Sequence, residues 1–441
     1  MSQIDPQLAP GEGAAPGPEK KQKRKRSLKR RLAFAAFYLV FLVILLEVGA
    51  FVANRVIASR AGRASLDHTA VIPSAWLGHE LNDVYGKVSK IPELNTHNAQ
   101  GFKYPKDLSA EKPATVIRIF ALGGSTLYGW GSKHLQGYPI RRLHLNNEET
   151  ITHFLEKKLE ERFADSGFDF EVVNGGIPDY SSQHHLIRLN KDVYRFDPDM
   201  VLLVVGANEF YTLENYNPLV HYNAGGKAVL HSFHQRSFWF TMWIGARYMA
   251  QYSSTFNTLQ YGALNKWQAQ EKGKVFEIEP RQNPETLDGV EERFKERARR
   301  TFLWTYHQIA AATSYRGTPT AVFLQPQIVF EEPSLMGPRD QETLKIVKSQ
   351  MGTAETTPRM VAFMRKVKEL LPGLFDEIKM TYYDKATLTA GLQTASQEDY
   401  FLDYTHLTPE GSAKFADHMF ECLLPSVEAL VAKRKAAQEK G

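Results

Sequence analysis

The chain has 441 residues, 43% of them hydrophobic, enough for one large domain or two ordinary ones, so core size is no constraint. Its formal charge of +5 is local: residues 1–31 hold nine Lys or Arg against Asp5, Glu12 and Glu19, and subtracting these from 54 and 49 leaves 45 basic and 46 acidic residues elsewhere, a net −1. That balance gives no basic face for nucleic acid, and Cys422, the single cysteine, excludes an internal disulfide while leaving the redox compartment open.

Residues 1–18 are rich in Pro, Gly and Ala and have little to bury, so residues 1–31 are expected to be a disordered basic tail. From Leu32 to Ala53 the chain is apolar on all sides, interrupted only by Glu47. At about 1.5 Å per residue this run spans roughly 33 Å, the thickness of a hydrocarbon core. A transmembrane helix is expected over 32–55, as an uncleaved signal anchor. A cleavable signal peptide is the competing reading, with Val48-Gly49-Ala50 as its cleavage site. With the preceding Lys/Arg block held in the cytoplasm, everything after the helix lies on the other side, as a single-pass protein of the inner membrane facing the periplasm.

Residues 56–113 are polar, with scattered Pro and Gly, and read as a lead-in. β-like apolar runs then appear at Val116–Leu122, Phe170–Val173, Met200–Val205, Ala321–Gln325 and Met380–Tyr383. Helical patterns lie between them at about 148–164, 183–195, 292–314 and 358–371, and a last helix starts near Pro409. This alternation predicts a three-layer α/β/α domain over 114–435 with a central parallel sheet, whose ligands sit at the carboxyl ends of the strands. The rhythm breaks over about 210–290, where aromatics such as Trp239 and Trp243 mark a helical insertion that packs on itself, covers the substrate or dips into the membrane.

The first strand ends in "ALGGSTLYG". A phosphate loop needs Gly-Lys-Ser/Thr after its glycines, and a dinucleotide turn needs G-x-G-x-x-G; neither occurs here. A nucleophilic serine needs a base, a group to orient that base, and donors for an oxyanion. "DYTHLTPEG" (Asp403–Gly411) supplies Asp403 and His406, three apart, just ahead of a helix opened by Pro409. "VVNGGIPDYSS" (Val172–Ser182) and "LLVVGANEF" (Leu202–Phe210) follow the second and third strands, and an Asn after Gly-Ala can aim its amide at a developing oxyanion. His184 and His185, adjacent on a helical pattern, point in different directions and read as surface or pocket polar residues rather than metal ligands.

In this order the motifs resemble the SGNH/GDSL hydrolase family, over about residues 96–430 apart from the insertion, and "NAQGFKYP" (Asn98–Pro105) resembles a lead-in found in some bacterial members. The resemblance implies a flavodoxin-like fold and a catalytic triad of Ser125, His406 and Asp403. It implies an oxyanion hole from the backbone N–H of Ser125, the N–H of Asp179 and the side chain of Asn208, with no metal and no cofactor. One block departs: the family usually has glycine five residues after the second-block asparagine, and counting from Asn174 that place holds Asp179. A backbone donor survives any side chain, but a carboxylate there sits beside a site that must hold negative charge. Gly175 and Gly176 are the nearby substitutes. The implied activity is esterase action on an acyl ester of a glycan or lipid. An O-acyltransferase passing the acyl group to a sugar hydroxyl, and a non-catalytic scaffold of the same fold, are the alternatives.

Overall fold

A computed structural model describes residues 28–60, 71–74, 78–81, 97–130, 145–178, 180–206, 208–209, 253, 255, 302–350 and 356–439. The chain divides into two compact units, Met1–Gly49 and Ala50–Gly441.

In the first unit the described residues belong to helix α1 (Leu28–Arg60), which continues past its boundary. Its stretch Leu28–Ala53 is, among the described residues, the one helix long and apolar enough to cross a membrane. Phe37, Leu39, Phe41 and Ile44 are exposed along it. Their exposure fits an apolar surround, because no stripe of polar residues divides the helix into two faces.

The second unit contains a short antiparallel hairpin, β1 (Val71–Ser74) and β2 (Gly78–Leu81), which the sequence pattern does not announce. Its main sheet comprises β3 (Val116–Gly123), β4 (Asp169–Gly176), β5 (Met200–Val205), β6 (Thr320–Leu324) and β7 (Thr381–Tyr383), ordered β4-β3-β5-β6-β7 with every pairing parallel. The expected parallel α/β/α architecture is therefore present. All five expected strands occur, shifted at their ends by up to three residues. β3 and β5 are buried along their whole length, which is why they read as continuous apolar runs rather than alternating ones.

Helices α2 (Ser125–Tyr128) and α3 (Ile151–Arg162) lie between β3 and β4, and α4 (Ser182–Arg188) lies between β4 and β5. α5 (Trp304–Tyr315), α6 (Pro338–Gln350), α7 (Thr356–Glu377) and α8 (Pro409–Gln438) complete the set among the described residues. The connection from β3 to β4 runs one way along the sheet, and that from β4 to β5 returns across β3. Right-handed crossovers then place α3 and α4 on opposite faces. α8 packs beside α3 and α5 beside α4, which covers both faces. The core joins Phe120 and Leu122 of β3, Leu155 and Leu159 of α3, and Phe415, Met419 and Leu423 of α8. α6 has no counterpart among the expected helices, and the aromatic insertion expected over about 210–290 lies outside the described residues apart from Ser253 and Thr255.

Because the strand order reverses between β3 and β5, the chain leaves these two strands in opposite directions along the sheet, the place at the carboxyl edge where open α/β sheets hold their ligands. The motif residues that follow those two strands lie at that edge.

Candidate active site

Ser125 begins the one-turn helix α2 immediately after β3, with Gly124 extended ahead of it (φ −87°, ψ −153°) and Gly129 in the left-handed region (φ 78°) ending the turn. The glycines before the serine have separate reasons. A side chain on Gly123 would strike Leu127 Cβ at 2.8 Å and the Val204 carbonyl at 3.0 Å, because this position lies in register between Gly176 of β4 and Val204 of β5. A Cβ on Gly124 would lie 2.8 Å from Nδ2 of Asn208. Gly124 is thus a space requirement for a neighbouring amide, its φ being open to any residue.

His406 arrives from the loop ahead of α8. That helix starts with Pro409 at its first position and with the Thr408 hydroxyl accepting the Gly411 N–H at 3.0 Å. Asp403 organises the loop through both carboxylate oxygens. Oδ1 accepts the N–H groups of Thr405 (2.9 Å) and His406 (2.8 Å), and Oδ2 lies 2.7 Å from His406 Nδ1. Nδ1 therefore carries the proton, donating it to Asp403, and Nε2 is left to accept the Ser125 hydroxyl at 2.8 Å. The two side chains are largely enclosed, with 13% of Asp403 and 12% of His406 exposed. Burial alone pushes the Asp403 carboxyl up. The His406 imidazole and the hydrogen bonds from His406 and Thr405 outweigh it, holding the group below the ordinary carboxylate range and ionised.

Asn208 follows β5, and its Nδ2 donates to the Tyr180 carbonyl at 2.7 Å. That bond holds the amide beside Gly124, on the turn that carries Ser125, with a second Nδ2 hydrogen remaining. Glu209, the next residue, is buried, and its Oε2 accepts the Gly206 N–H at 2.9 Å, which closes the turn carrying Asn208. Burial pushes the Glu209 carboxyl up to about 7. Asp179 lies outside the described residues. Of the two glycines that could have replaced it as donor, Gly176 uses its N–H on Asn174 Oδ1 (2.9 Å), and Gly175 stands inside the strand opposite Leu122. Both are close-packing glycines: a Cβ on Gly176 would lie 2.4 Å from the Tyr128 amide nitrogen, and one on Gly175 2.8 Å from the Ala121 carbonyl.

The adjacent histidines are both buried, which rules out the surface half of the expectation. His184 stacks on Tyr180 at 4.6 Å, and its Nδ1 accepts the Ser181 N–H at 3.1 Å. Burial drives His185 down to about 3, so it is neutral.

Several residues that shape the site have no motif to mark them. The Tyr180 carbonyl orients Asn208 through backbone alone. Asp340 in the first turn of α6 accepts the N–H groups of Tyr400 (2.7 Å) and Phe401 (3.0 Å), anchoring the base of the Asp403–His406 loop, while Asp399 accepts the Arg339 N–H in return. Gln325, the last residue of the fourth expected strand, reaches both the turn that carries Ser125 and that loop. A polar residue closing an apolar strand at the carboxyl edge is the signal that could have marked it.

No family model matches the chain, and no curated protein matches it. Among solved structures it is similar to an alpha/beta hydrolase enzyme from the metagenome of Lake Arreo, Spain, at 13% identity and a TM-score of 0.34, covering 69% of this chain and 94% of that one. It is similar also to a point variant of an acetyl xylan esterase from Geobacillus stearothermophilus (13% identity, TM-score 0.33, 68% and 91% covered). A third is described as a GDSL-like lipase from Parabacteroides merdae (12% identity, TM-score 0.33, 69% and 94% covered). Identities this low, with TM-scores below 0.5, assign no activity to this chain, and its chemistry is argued from its own residues.

Proposed function

We propose that the chain is a serine esterase of the SGNH/GDSL type, anchored in the membrane by α1 and acting outside the cytoplasm on an acyl ester of a glycan or lipid. One observation carries the chemistry: the relay from Ser125 Oγ to His406 Nε2 at 2.8 Å and from His406 Nδ1 to Asp403 Oδ2 at 2.7 Å. A hydroxyl bonded to an imidazole whose tautomer is fixed by a carboxylate is the arrangement that activates serine toward carbonyl carbon.

Ser125 Oγ attacks the ester carbonyl as its proton passes to His406 Nε2, and ionised Asp403 stabilises the imidazolium. The developing oxyanion is received by the remaining hydrogen of Asn208 Nδ2, by the N–H of Ser125 and by the N–H of Asp179. His406 returns the proton to the departing alcohol, leaving an acyl-Ser125. Water, deprotonated by the same imidazole, then releases the acid. Asn174 stays outside this chemistry because its side chain is occupied by the Leu127 carbonyl and the Gly176 N–H.

Residues 1–31 form the cytoplasmic tail in this reading, 32–55 the membrane span, 56–113 the lead-in, and 114–435 the catalytic domain. The nine Lys and Arg ahead of the apolar helix support that orientation.

The test is hydrolysis by the purified full-length protein of a panel of acyl nitrophenyl esters and acetylated glycans. Turnover that falls by at least about 1,000-fold in Ser125→Ala supports the assignment. Turnover unchanged by that substitution refutes it. Nitrophenol released only when a sugar is added, with the acyl group recovered on a sugar hydroxyl, would replace hydrolysis by acyl transfer.

A further inference from the structure

Three side chains from distant parts of the chain meet behind the nucleophile. Thr126, next after Ser125, is 2% exposed, Gln325 at the end of β6 is 4% exposed, and Thr405, between Asp403 and His406, is 2% exposed. The Thr126 hydroxyl donates to the Thr405 carbonyl at 3.0 Å. Gln325 Nε2 donates to Thr126 Oγ1 at 2.7 Å and also to Thr405 Oγ1. The bonds are mutually determined. A threonine hydroxyl has one proton, and that of Thr126 is committed to the carbonyl, so only the nitrogen end of the Gln325 amide fits against it, and its two hydrogens serve the two hydroxyls.

The backbones of Gln325 and of the Thr405 loop are held by further bonds. Gln325 N–H donates to the Val205 carbonyl at 2.7 Å, extending the β5–β6 ladder, and Ile328 N–H donates to the Tyr404 carbonyl at 3.0 Å. Thr405 N–H holds Asp403 Oδ1 at 2.9 Å. A rigid strand end therefore sets the spacing between the turn that carries Ser125 and the loop that carries His406. None of the atoms in this link reacts in the proposed mechanism, whereas the Ser125–His406 bond that also joins the two segments would be broken and remade in each turnover.

We propose that Thr126 and Gln325 are positioning residues that hold the Ser125 turn and the Asp403–His406 loop in register through Thr405. They touch no substrate. This inference rests on Ser125 being the nucleophile and His406 its base. In this buried network each bond constrains the next, so loss of one member frees the others to reorient. Displacements on the order of 1 Å between reacting groups cost about 100-fold in rate, so a loosened register lowers turnover rather than substrate binding.

The experiment compares full-length wild type, Thr126→Val, Thr126→Ser, Gln325→Leu and the Thr126→Val/Gln325→Leu double variant. Two quantities are read: kcat and KM on a nitrophenyl ester, and the rate of covalent labelling by a fluorophosphonate. Thr126→Val and Gln325→Leu are expected to lose about 10- to 100-fold in kcat and in labelling rate, with KM within about threefold of wild type. Thr126→Ser, which keeps the hydroxyl, recovers most of that loss. The double variant loses less than the product of the two single losses, since the Gln325–Thr126 bond is common to both and each bond of the network constrains the next. Labelling of Thr126→Val within about threefold of wild type overturns the positioning role, as do losses that multiply in the double variant. Should Thr126→Val not fold, Gln325→Leu is read by the same criterion. A wild type that takes no label overturns the nucleophile assignment as well, whereas a labelled wild type with unaffected variants overturns the positioning role alone.

Discussion

The hydroxyl oxygen of Ser125 lies 2.8 Å from Nε2 of His406, although 281 residues separate them in the chain. Two local structures make that distance. The missing side chain of Gly123 leaves room for Leu127 of the helical turn at the end of β3, and the capped N-terminus of α8 fixes the loop in which Asp403 orients the imidazole. Neither residue is unusual alone; the pairing arises from the parallel sheet that brings β3 and the segment before α8 to one edge.

Gly124 provides a specific consequence. Its substitution by alanine places a methyl group 2.8 Å from the Asn208 amide nitrogen, a flexible side-chain end that can yield. Gly124→Ala is therefore expected to fold, yet to lose activity on the order of 100-fold, as is Asn208→Ala, because both disturb the amide proposed as an oxyanion donor. Steady-state kinetics with a melting curve check this, and full activity in Gly124→Ala would contradict the placement of the amide.

Glu209 links stability to pH. Its carboxyl is pushed from an ordinary 4.5 up to about 7 by burial, so the folded protein holds a proton that the unfolded chain has released. Stability from this group is present at acid pH and declines as pH rises from about 4.5 to about 7. Glu209→Gln keeps an acceptor for the Gly206 N–H and removes the titration. Its advantage over wild type should grow by up to about 3 kcal/mol across that interval and then level off. Melting temperatures at about pH 5 and about pH 8 give the comparison, and an advantage larger at the lower pH would contradict the sign.

Arg118 is a cation inside an otherwise apolar strand. With 1% of its side chain exposed, it donates to Glu171 Oε2 at 2.5 Å and to the carbonyls of Ser109 (2.9 Å) and Phe196 (2.8 Å). Arg118→Ala leaves those acceptors without that donor and is expected to cost about 3 kcal/mol. Denaturant titration reads that loss directly, and a change below about 1 kcal/mol would mean that the acceptors find water.

Topology is open to a separate check. A reporter fused after Gly441 that is active only outside the cytoplasm should be active, because the basic block precedes the apolar helix. A reporter active only in the cytoplasm should be silent there, and the reverse pattern would invert the orientation.

Much of the architecture is legible in the sequence because burial dictates it. β3 and β5 are covered on both faces, and only strongly apolar runs such as "VIRIFALG" and "MVLLVV" can occupy such places. Ser125 is legible because it follows a strand and two glycines, and Asp403 and His406 because a D-x-x-H spacing, weak alone, stands ahead of a helix in company with the other strand-end motifs. Other parts leave weaker traces. α6 is a polar helix beginning at Pro338 with no strong apolar stripe, and its contribution to the site, Asp340 against Tyr400 and Phe401, is a side-chain-to-backbone bond across about 60 residues. The Tyr180 carbonyl orients Asn208 whatever side chain position 180 bears, so no residue type announces it. Gly124 has the look of a turn signal, whereas its φ is ordinary and the missing Cβ is the point.

The central claim is that Ser125 is an activated nucleophile, and covalent modification tests it most directly. Intact-mass and peptide mapping of the full-length protein after fluorophosphonate treatment should locate a single adduct on Ser125. The adduct should be absent in Ser125→Ala and form slower by orders of magnitude in His406→Ala, where the hydroxyl has lost its base. Equal labelling of wild type and Ser125→Ala, or an adduct mapped to any other residue, would contradict the account.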